Sequence, residues 1–351
     1  MNQDWHDFLT PTNTAIFSGQ KTAWPPGKKQ YANKRYAIAD LAVLTVSGRD
    51  AAQFLQGQTT CNIHDVSETQ SRFGAFCTPK GRTISTFLIS KRRQSFLLVL
   101  PEELLPIVKK KLQLYVLRSD VQLIGGSDDY CLFGCSRATP ETANIPFPEG
   151  PLAALPVDAG TTVALPAVNG LSRCLTLLPA KTAMETWQNH ATQGLQTGNS
   201  SEWRTLDIHS GIPWLNLLTT EQFIPQMLNL DQLGGISLDK GCYTGQEIVA
   251  RTHYLGKAKR KMYLARCQGT EPPETGSAIT ALEDASDQAV GSVITVQETT
   301  TGFIMLVVLQ IAHAQASTLV LANRNRDHLT VTELVYSIGS SVISVGKKAP
   351  F

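Results

Sequence analysis

The sequence contains no C-x-x-C pair, no H-x-H or H-E-x-x-H spacing, no G-x-G-x-x-G and no G-x-x-x-x-G-K-[ST]. Without a glycine-rich phosphate loop, a conventional dinucleotide or ATP site is disfavoured. The seven cysteines, at 61, 77, 131, 135, 174, 242 and 267, are odd in number and unpaired in spacing. A disulfide framework is therefore not expected, and a reducing cytosol is the expected home. Cys131 and Cys135 stand four residues apart, but no second pair or histidine cluster completes a zinc site, so no metal site is expected. Long apolar runs are also missing. The stretch FIMLVVLQIA (303–312) suits a buried strand and is too short to span a bilayer. The net charge is only +2, so no global field points to nucleic acid or membrane, and an anionic partner would need a local basic patch. Residues 1–19, MNQDWHDFLTPTNTAIFSG, read as neither a secretory nor a transit segment.

A chain of 351 residues has room for two or three domains at roughly 100–200 residues each. A hydrophobic fraction of 42% and a charged fraction of 17% fit a globular protein. The expected organisation is an N-terminal arm (1–35), an α+β lobe (36–135), a second α+β lobe (136–256) and an all-β C-terminal unit (257–351). The arm is polar, carries Pro25, Pro26 and Gly27, and reads as loosely attached. Strands are expected at Leu41–Val46, Arg72–Cys77, Thr83–Ser90 and Ser95–Leu100, with T-P-K-G-R (78–82) as a turn. Ala51–Gln56 reads as a helix capped by Asp50, and Glu102–Tyr115 as an amphipathic helix with Lys109, Lys110 and Lys111 on its solvated side. Residues 136–170 read as a long connection with short strands. Lys181–Ala191 is expected to be helical, as is Ser201–Gly211 with Ser201 as cap and Gly211 as stop. From 262 onward, short apolar runs at 262–267, 289–297, 302–310, 317–322 and 330–346 have the rhythm of a small barrel or sandwich.

The densest chemistry lies in K-G-C-Y-T-G-Q-E (240–247). Thr244 and Glu247 have capping-box spacing for a helix from Gly245 to about Tyr254, closed by Gly256. Glu247 and Arg251 stand in the favourable i,i+4 order, a pair contributing about 0.3–0.5 kcal/mol. Cys242 then lies just outside the positive end of that helix and two residues from Lys240. Both features favour a thiolate, so a reactive, partly accessible Cys242 tuned by Lys240 is the sharp reading, and a small apolar filler the bland one. Gly241 and Gly245 would admit a ligand. Glu247 also has two readings, as a helix cap and as a carboxylate gripping an amidine-like edge such as that of a pterin. Downstream, Lys257, Lys259, Arg260 and Lys261 form a run that reads either as an anion patch or as a solvated hinge.

The extended stretch K-G-C-Y-T-G-Q-E-I-V-A-R resembles the signature of the YgfZ family, folate-binding proteins related to the glycine-cleavage T-protein (aminomethyltransferase). The stretches 203–213, 223–237, 48–60 and 78–82 resemble the same family, so landmarks cover about residues 36–265. The resemblance implies an α+β, T-protein-like fold: two interleaved α+β lobes around a central hole that holds tetrahydrofolate or a one-carbon derivative, plus a C-terminal β-barrel. It implies support for the maturation or repair of iron–sulfur enzymes, among them a radical tRNA methylthiolase, with Cys242 as the functional thiol. Trp203, Tyr243, Gln246, Glu247 and Arg251 are carried over as folate contacts. Trp203 matches a pocket tryptophan of the family, although the residue type also suits a buried helix position. A second family tryptophan is replaced by Leu41 in A-D-L-A (39–42), and Asp40 is left to meet a ring nitrogen. The implied role is an accessory factor rather than an enzyme, without stable nucleic-acid or membrane binding. A folate-dependent aminomethyltransferase or demethylase is the alternative, and a folate-free interaction module is a third reading.

Overall fold

A computed structural model describes residues 2–10, 21–22, 31–125, 130–138, 145–256, 258–269, 271–283, 288–322 and 326–336. The chain opens with a short helix, α1 (Gln3–Leu9), capped by Asn2, whose side chain accepts from the Trp5 amide at 3.0 Å. The expected loose arm is corrected here. Trp5 and Leu9 are fully buried, and the Trp5 indole packs edge-on against Trp187 and beside Phe133. Polar spacing hid the anchor, because two large apolar side chains suffice to dock two turns of helix. The rest of the arm up to residue 30, apart from residues 21 and 22, lies outside the described residues.

The two α+β lobes interleave. Strand β1 (Lys34–Ala37) belongs to the second sheet, whereas the chain then builds the whole first sheet before returning. That first sheet contains β2 (Leu41–Ser47), β3 (Arg72–Cys77), β4 (Thr83–Arg92), β5 (Ser95–Pro101) and β6 (Gln122–Gly125), in the order β3-β4-β5-β2-β6. All its pairings are antiparallel. Runs rich in β-branched and aromatic residues suit these strands, which are buried along most of their length. Helix α2 (Ala51–Gln56) follows Asp50, but the Asp50 carboxylate accepts from the Asp120 amide at 2.7 Å instead of capping the helix. Helix α3 (Leu105–Val116) buries Leu105, Val108, Leu112 and Val116 at helical spacing against the sheet.

The second sheet has the order β11-β1-β7-β10-β9-β8. It adds β7 (Cys131–Arg137), β8 (Ala154–Val157), β9 (Gly160–Val168), β10 (Leu171–Leu178) and β11 (Gln196–Gly198). The stretch expected to be a long connection thus holds β9, a nine-residue strand buried nearly throughout. Its Pro166 and alanines masked the pattern. Helix α4 (Ala180–Thr192) matches its expected place, and α5 (Ser200–His209) starts earlier than expected. The cap of α5 is Asn199, whose side chain accepts from the Glu202 amide at 2.8 Å, so Ser201 is not the cap. Helix α6 (Gln246–Tyr254) carries the octet's second half.

The C-terminal part is a curled six-stranded sheet, β16-β13-β14-β15-β12-β17. Its strands are β12 (Arg260–Cys267), β13 (Ala278–Ala281), β14 (Ala289–Thr299), β15 (Gly302–Gln310), β16 (Leu319–Leu321) and β17 (Thr330–Thr332). Its outer strands approach each other: the Leu321 amide donates to Asp327 O and the Leu329 amide to Leu319 O, each at 2.9 Å, just before β17 begins. Curling removes most of the exposed edge. The expected run 330–346 is described only to residue 336. One apolar cluster, including Cys77, Leu104, Phe223, Met262 and Leu306, joins the first sheet to this C-terminal sheet and lies under the octet's neighbourhood.

Candidate functional site

The octet is seated on two loops of the first lobe, the segment after α2 and the turn between β3 and β4. The Thr244 amide donates to Gly57 O at 3.2 Å, and the Thr244 hydroxyl meets Gln58 Oε1 at 3.4 Å. Gly245 has φ +87°, and a Cβ there would lie 2.5 Å from Thr78 O, so only glycine fits. The turn itself is closed by a Gly81 amide donating to Thr78 O at 2.8 Å.

Gly245 is the N-cap of α6, and no side chain caps it. The expected Thr244–Glu247 capping box is therefore corrected. The left-handed glycine turns the Thr244 hydroxyl toward Gln58, and the reach-back role passes to Gln246, whose Oε1 accepts from the Tyr243 amide at 3.1 Å. Glu247 is exposed and its carboxylate has no hydrogen bond or ion pair among the described residues. The expected Glu247–Arg251 pair is not closed, and Arg251 is likewise exposed and unpaired among the described residues. The competition between cap and ligand at Glu247 ends there, because the carboxylate does no capping.

Lys240 is buried. Its ammonium donates to Thr59 O at 2.6 Å and Cys61 O at 2.8 Å and lies 4.9 Å from the centre of the Tyr243 ring. Burial pulls its pKa down to about 8, and the Cys61 thiol opposes that. Lys240 is an anchor: its charge is engaged by carbonyls from a loop about 180 residues earlier, and the lysine pins the octet there. Tyr243 is buried, and its hydroxyl has no hydrogen-bond partner among the described residues. Burial raises its pKa well above the ordinary phenol value.

Cys242 is the exposed cysteine, and the other six are buried. The preceding Gly241 has no heavy atom within 4 Å of where a Cβ would sit, so this part of the octet stands clear of the body. Burial pushes the Cys61 thiol up to about 11 and the Cys77 thiol up to about 12, which keeps these neighbours protonated.

The other expected contacts lie elsewhere. Trp203 is 3% exposed. One side of its ring meets Gly134, where a Cβ would clash at 2.2 Å, Tyr36 packs at 5.4 Å between centroids, and the Arg173 guanidinium lies 5.1 Å away. Leu41 belongs to the same buried cluster. Asp40 forms an exposed ion pair with Arg204 at 3.0 Å. Residue type alone left open whether Trp203 is a pocket face or core; in the structure it is core. The network around it had no signal in the sequence. Arg173 donates to Asp207 Oδ1 at 2.6 Å, Ser210 Oγ at 2.6 Å and Pro166 O at 2.9 Å, while Trp214 donates to Asp207 Oδ2 at 3.0 Å. Burial raises the Asp207 carboxyl above the ordinary range, and Arg173 opposes it.

Tetrahydrofolate thus meets a divided set. Trp203 and Leu41 have no free surface to stack on a pterin. Glu247 and Arg251 fit its chemistry, an unengaged carboxylate for an amidine edge and an unengaged guanidinium for a carboxylate tail. The orphaned Tyr243 hydroxyl sits in the same octet. A cavity of about 460 Å³ opens between the second lobe and the C-terminal sheet, lined by Asn169, Ser210, Glu333 and Tyr336 among others, and none of the expected folate contacts lines it. No helix among the described residues is long and apolar enough to cross a membrane.

No protein-family model matches the chain. The tRNA-modifying protein YgfZ of Klebsiella pneumoniae (strain 342) is 30% identical over 312 residues, covering 86% of this chain and 92% of that protein. The tRNA-modifying protein YgfZ of Enterobacter sp. (strain 638) is 29% identical over 309 residues, covering 86% and 93%. In three dimensions the chain is similar to the glycine cleavage system aminomethyltransferase T of Bartonella henselae, with a TM-score of 0.71 over 95% of this chain and 96% of that one at 13% identity. That likeness establishes a T-protein-like architecture of interleaved lobes and a curled C-terminal sheet. With the sequence likeness to its relatives running along most of its length, the chain belongs to the YgfZ family.

Proposed function

We propose that this protein is a folate-binding accessory factor in tRNA modification. In this reading it supports the maturation or repair of iron–sulfur enzymes that methylthiolate tRNA, and Cys242 is its functional thiol. The observation that carries the reading is the placement of Cys242. It is the exposed cysteine of seven, held on a segment that Lys240 and Gly245 fix to the first lobe while Gly241 keeps it clear. A thiol so presented meets a large partner, whereas the buried ones do not. The names of the two relatives supply the tRNA setting. Folate, when bound, supplies a one-carbon carrier. Glu247 and Arg251 would hold it.

The deciding experiment complements a deletion strain with the wild type and with Cys242→Ala and assays tRNA methylthiolation. Loss with Cys242→Ala at unchanged protein level is expected, and full rescue would overturn the thiol role. Tetrahydrofolate titrated against the fluorescence of the five tryptophans tests the ligand. Absence of any response would point to a folate-free module, and folate-dependent one-carbon transfer from an aminomethyl donor would make the chain a transferase.

A further inference from the structure

Beside the octet runs an apolar groove of about 180 Å³ between α3 and the turn at 78–82. Phe76, Ile84, Val108 and Leu112 form its floor, and Leu114 and Tyr115 its rim. The rim is unusually bare for a helix that is otherwise well packed: Leu114 is 70% exposed, Tyr115 43%, and Leu117 just beyond the helix 87%. Adjacent large apolar residues left in water mark an interaction site more often than a lone exposed leucine does. The groove is smaller than the roughly 300–1,000 Å³ of small-molecule sites, which suits one anchoring side chain of a larger partner.

The unpaired charge flanking the groove is positive. Lys111 lines it and is matched by Glu221. Lys80, Lys110 and Arg118 are exposed and have no acidic partner among the described residues. From the sequence the lysine run reads as a solvated face, with a binding patch as the lesser alternative. On the structure Lys111 lines an apolar slot, with Lys110 next to it in the chain and Lys80 next to the lining Pro79, which calls for an apolar anchor flanked by carboxylates.

The groove also shares its wall with the octet. Gln58 and Thr78 line it, and they touch Thr244 and Gly245 directly. Cys242 is two residues from Thr244, at most about 7 Å along the chain. A segment held in the groove therefore lies beside the exposed thiol.

We infer that this groove is the docking site for an acidic, amphipathic segment of a protein partner, which it holds next to Cys242. The inference rests on the proposed role of Cys242 for its purpose but not for its binding. The probe is a short fluorescein-labelled amphipathic peptide with leucines on one helical face and glutamates on the other, followed by anisotropy. Wild type and Cys242→Ala are expected to bind it equally. Leu114→Asp is expected to weaken binding by about tenfold or more. Lys110→Glu is expected to weaken it about threefold, an effect that fades at high salt. Leu114 is already in water, so Leu114→Asp should keep the wild-type thermal transition. In the complementation assay it should then lose tRNA methylthiolation. Three results would overturn the inference: binding no tighter than that of a lysine-substituted peptide, indifference to Leu114→Asp, or displacement of the peptide by a single-stranded RNA at equal concentration. A wild-type dimer in sedimentation that Leu114→Asp makes monomeric would assign the groove to a second copy and also overturn it. Full rescue by Cys242→Ala with peptide binding intact would remove the thiol role and leave the docking site standing.

Discussion

Helices α5 and α6 have ten and nine residues, and both carry residues expected to face a ligand. Their polar groups are used in opposite ways. On α5, Asn199 caps the start, Glu202 takes Lys34 at 2.8 Å, Thr205 meets Thr22 at 2.8 Å, and Asp207 holds both Arg173 and Trp214. On α6 no side chain caps the start, and Glu247 and Arg251 face solvent unpaired among the described residues. Satisfied polar groups around a buried indole hold a fold together, because each is costly to unpair. Unsatisfied groups on an exposed helix cost little to keep and are available to a partner. The contrast predicts that changes on α5 register as stability and changes on α6 as function.

The largest effect is expected from Arg173→Met. It leaves the Asp207 carboxylate buried without its cation, which should cost about 3–5 kcal/mol in chemical denaturation. Adding Asp207→Leu removes the stranded charge and should restore part of the loss. Trp203→Ala comes next, at about 3–5 kcal/mol for a large core side chain. Any loss of tetrahydrofolate binding should then track unfolding and disappear at temperatures where the variant stays folded. Weakened binding by fully folded Trp203→Phe would instead return the residue to the ligand site and break the contrast.

Much of the architecture was legible in the sequence because local pattern decides it. Strand β3 has the expected bounds, Arg72–Cys77, since its apolar residues sit between clear turn signals. The helix around Lys181–Ala191 and the turn with Gly81 follow from periodicity and turn chemistry. What stayed hidden depends on distant chain. Whether Trp203 lines a pocket or a core is decided by Gly134 and Tyr36 in another part of the sheet, and nothing near position 203 encodes them. Lys240 sits two residues from Cys242, yet its charge is engaged by carbonyls at 59 and 61. In the octet, Thr244 and Glu247 have capping-box spacing, but the left-handed Gly245 between them swings the threonine away. Spacing reported that a helix starts there, and the three-dimensional seat decided which side chains serve it.

A third test uses protons at α4, another satisfied region. Burial pulls His190 down from 6.5 to about 4, with Arg35 adding to the shift, and its Nδ1 lies 3.5 Å from the Cys135 thiol. The folded value is below the unfolded one, so between those limits the unfolded chain binds more protons. Stability is then intact above pH 6.5 and falls as pH drops toward 4, by at most about 3 kcal/mol. His190→Gln should flatten that slope by one proton in urea midpoints measured from pH 4 to 7. A slope unchanged by the substitution would place the proton uptake elsewhere.

The smallest effects on stability belong to Thr244 and Glu247 of the octet. An N-cap threonine contributes about 1 kcal/mol and its loss is easily measured. Thr244 makes only a 3.4 Å contact to Gln58, so Thr244→Ala should change stability by less than about 0.5 kcal/mol. Glu247→Gln should be as mild, since its carboxylate neither caps α6 nor pairs with Arg251. For ligand binding the order reverses. A charge-assisted contact contributes about 1.5–3 kcal/mol, so Glu247→Gln should weaken tetrahydrofolate binding by about tenfold or more with the thermal transition unmoved. A Glu247→Gln protein that melts early but binds normally would show that the carboxylate serves the helix after all, and α6 would then differ from α5 only in exposure.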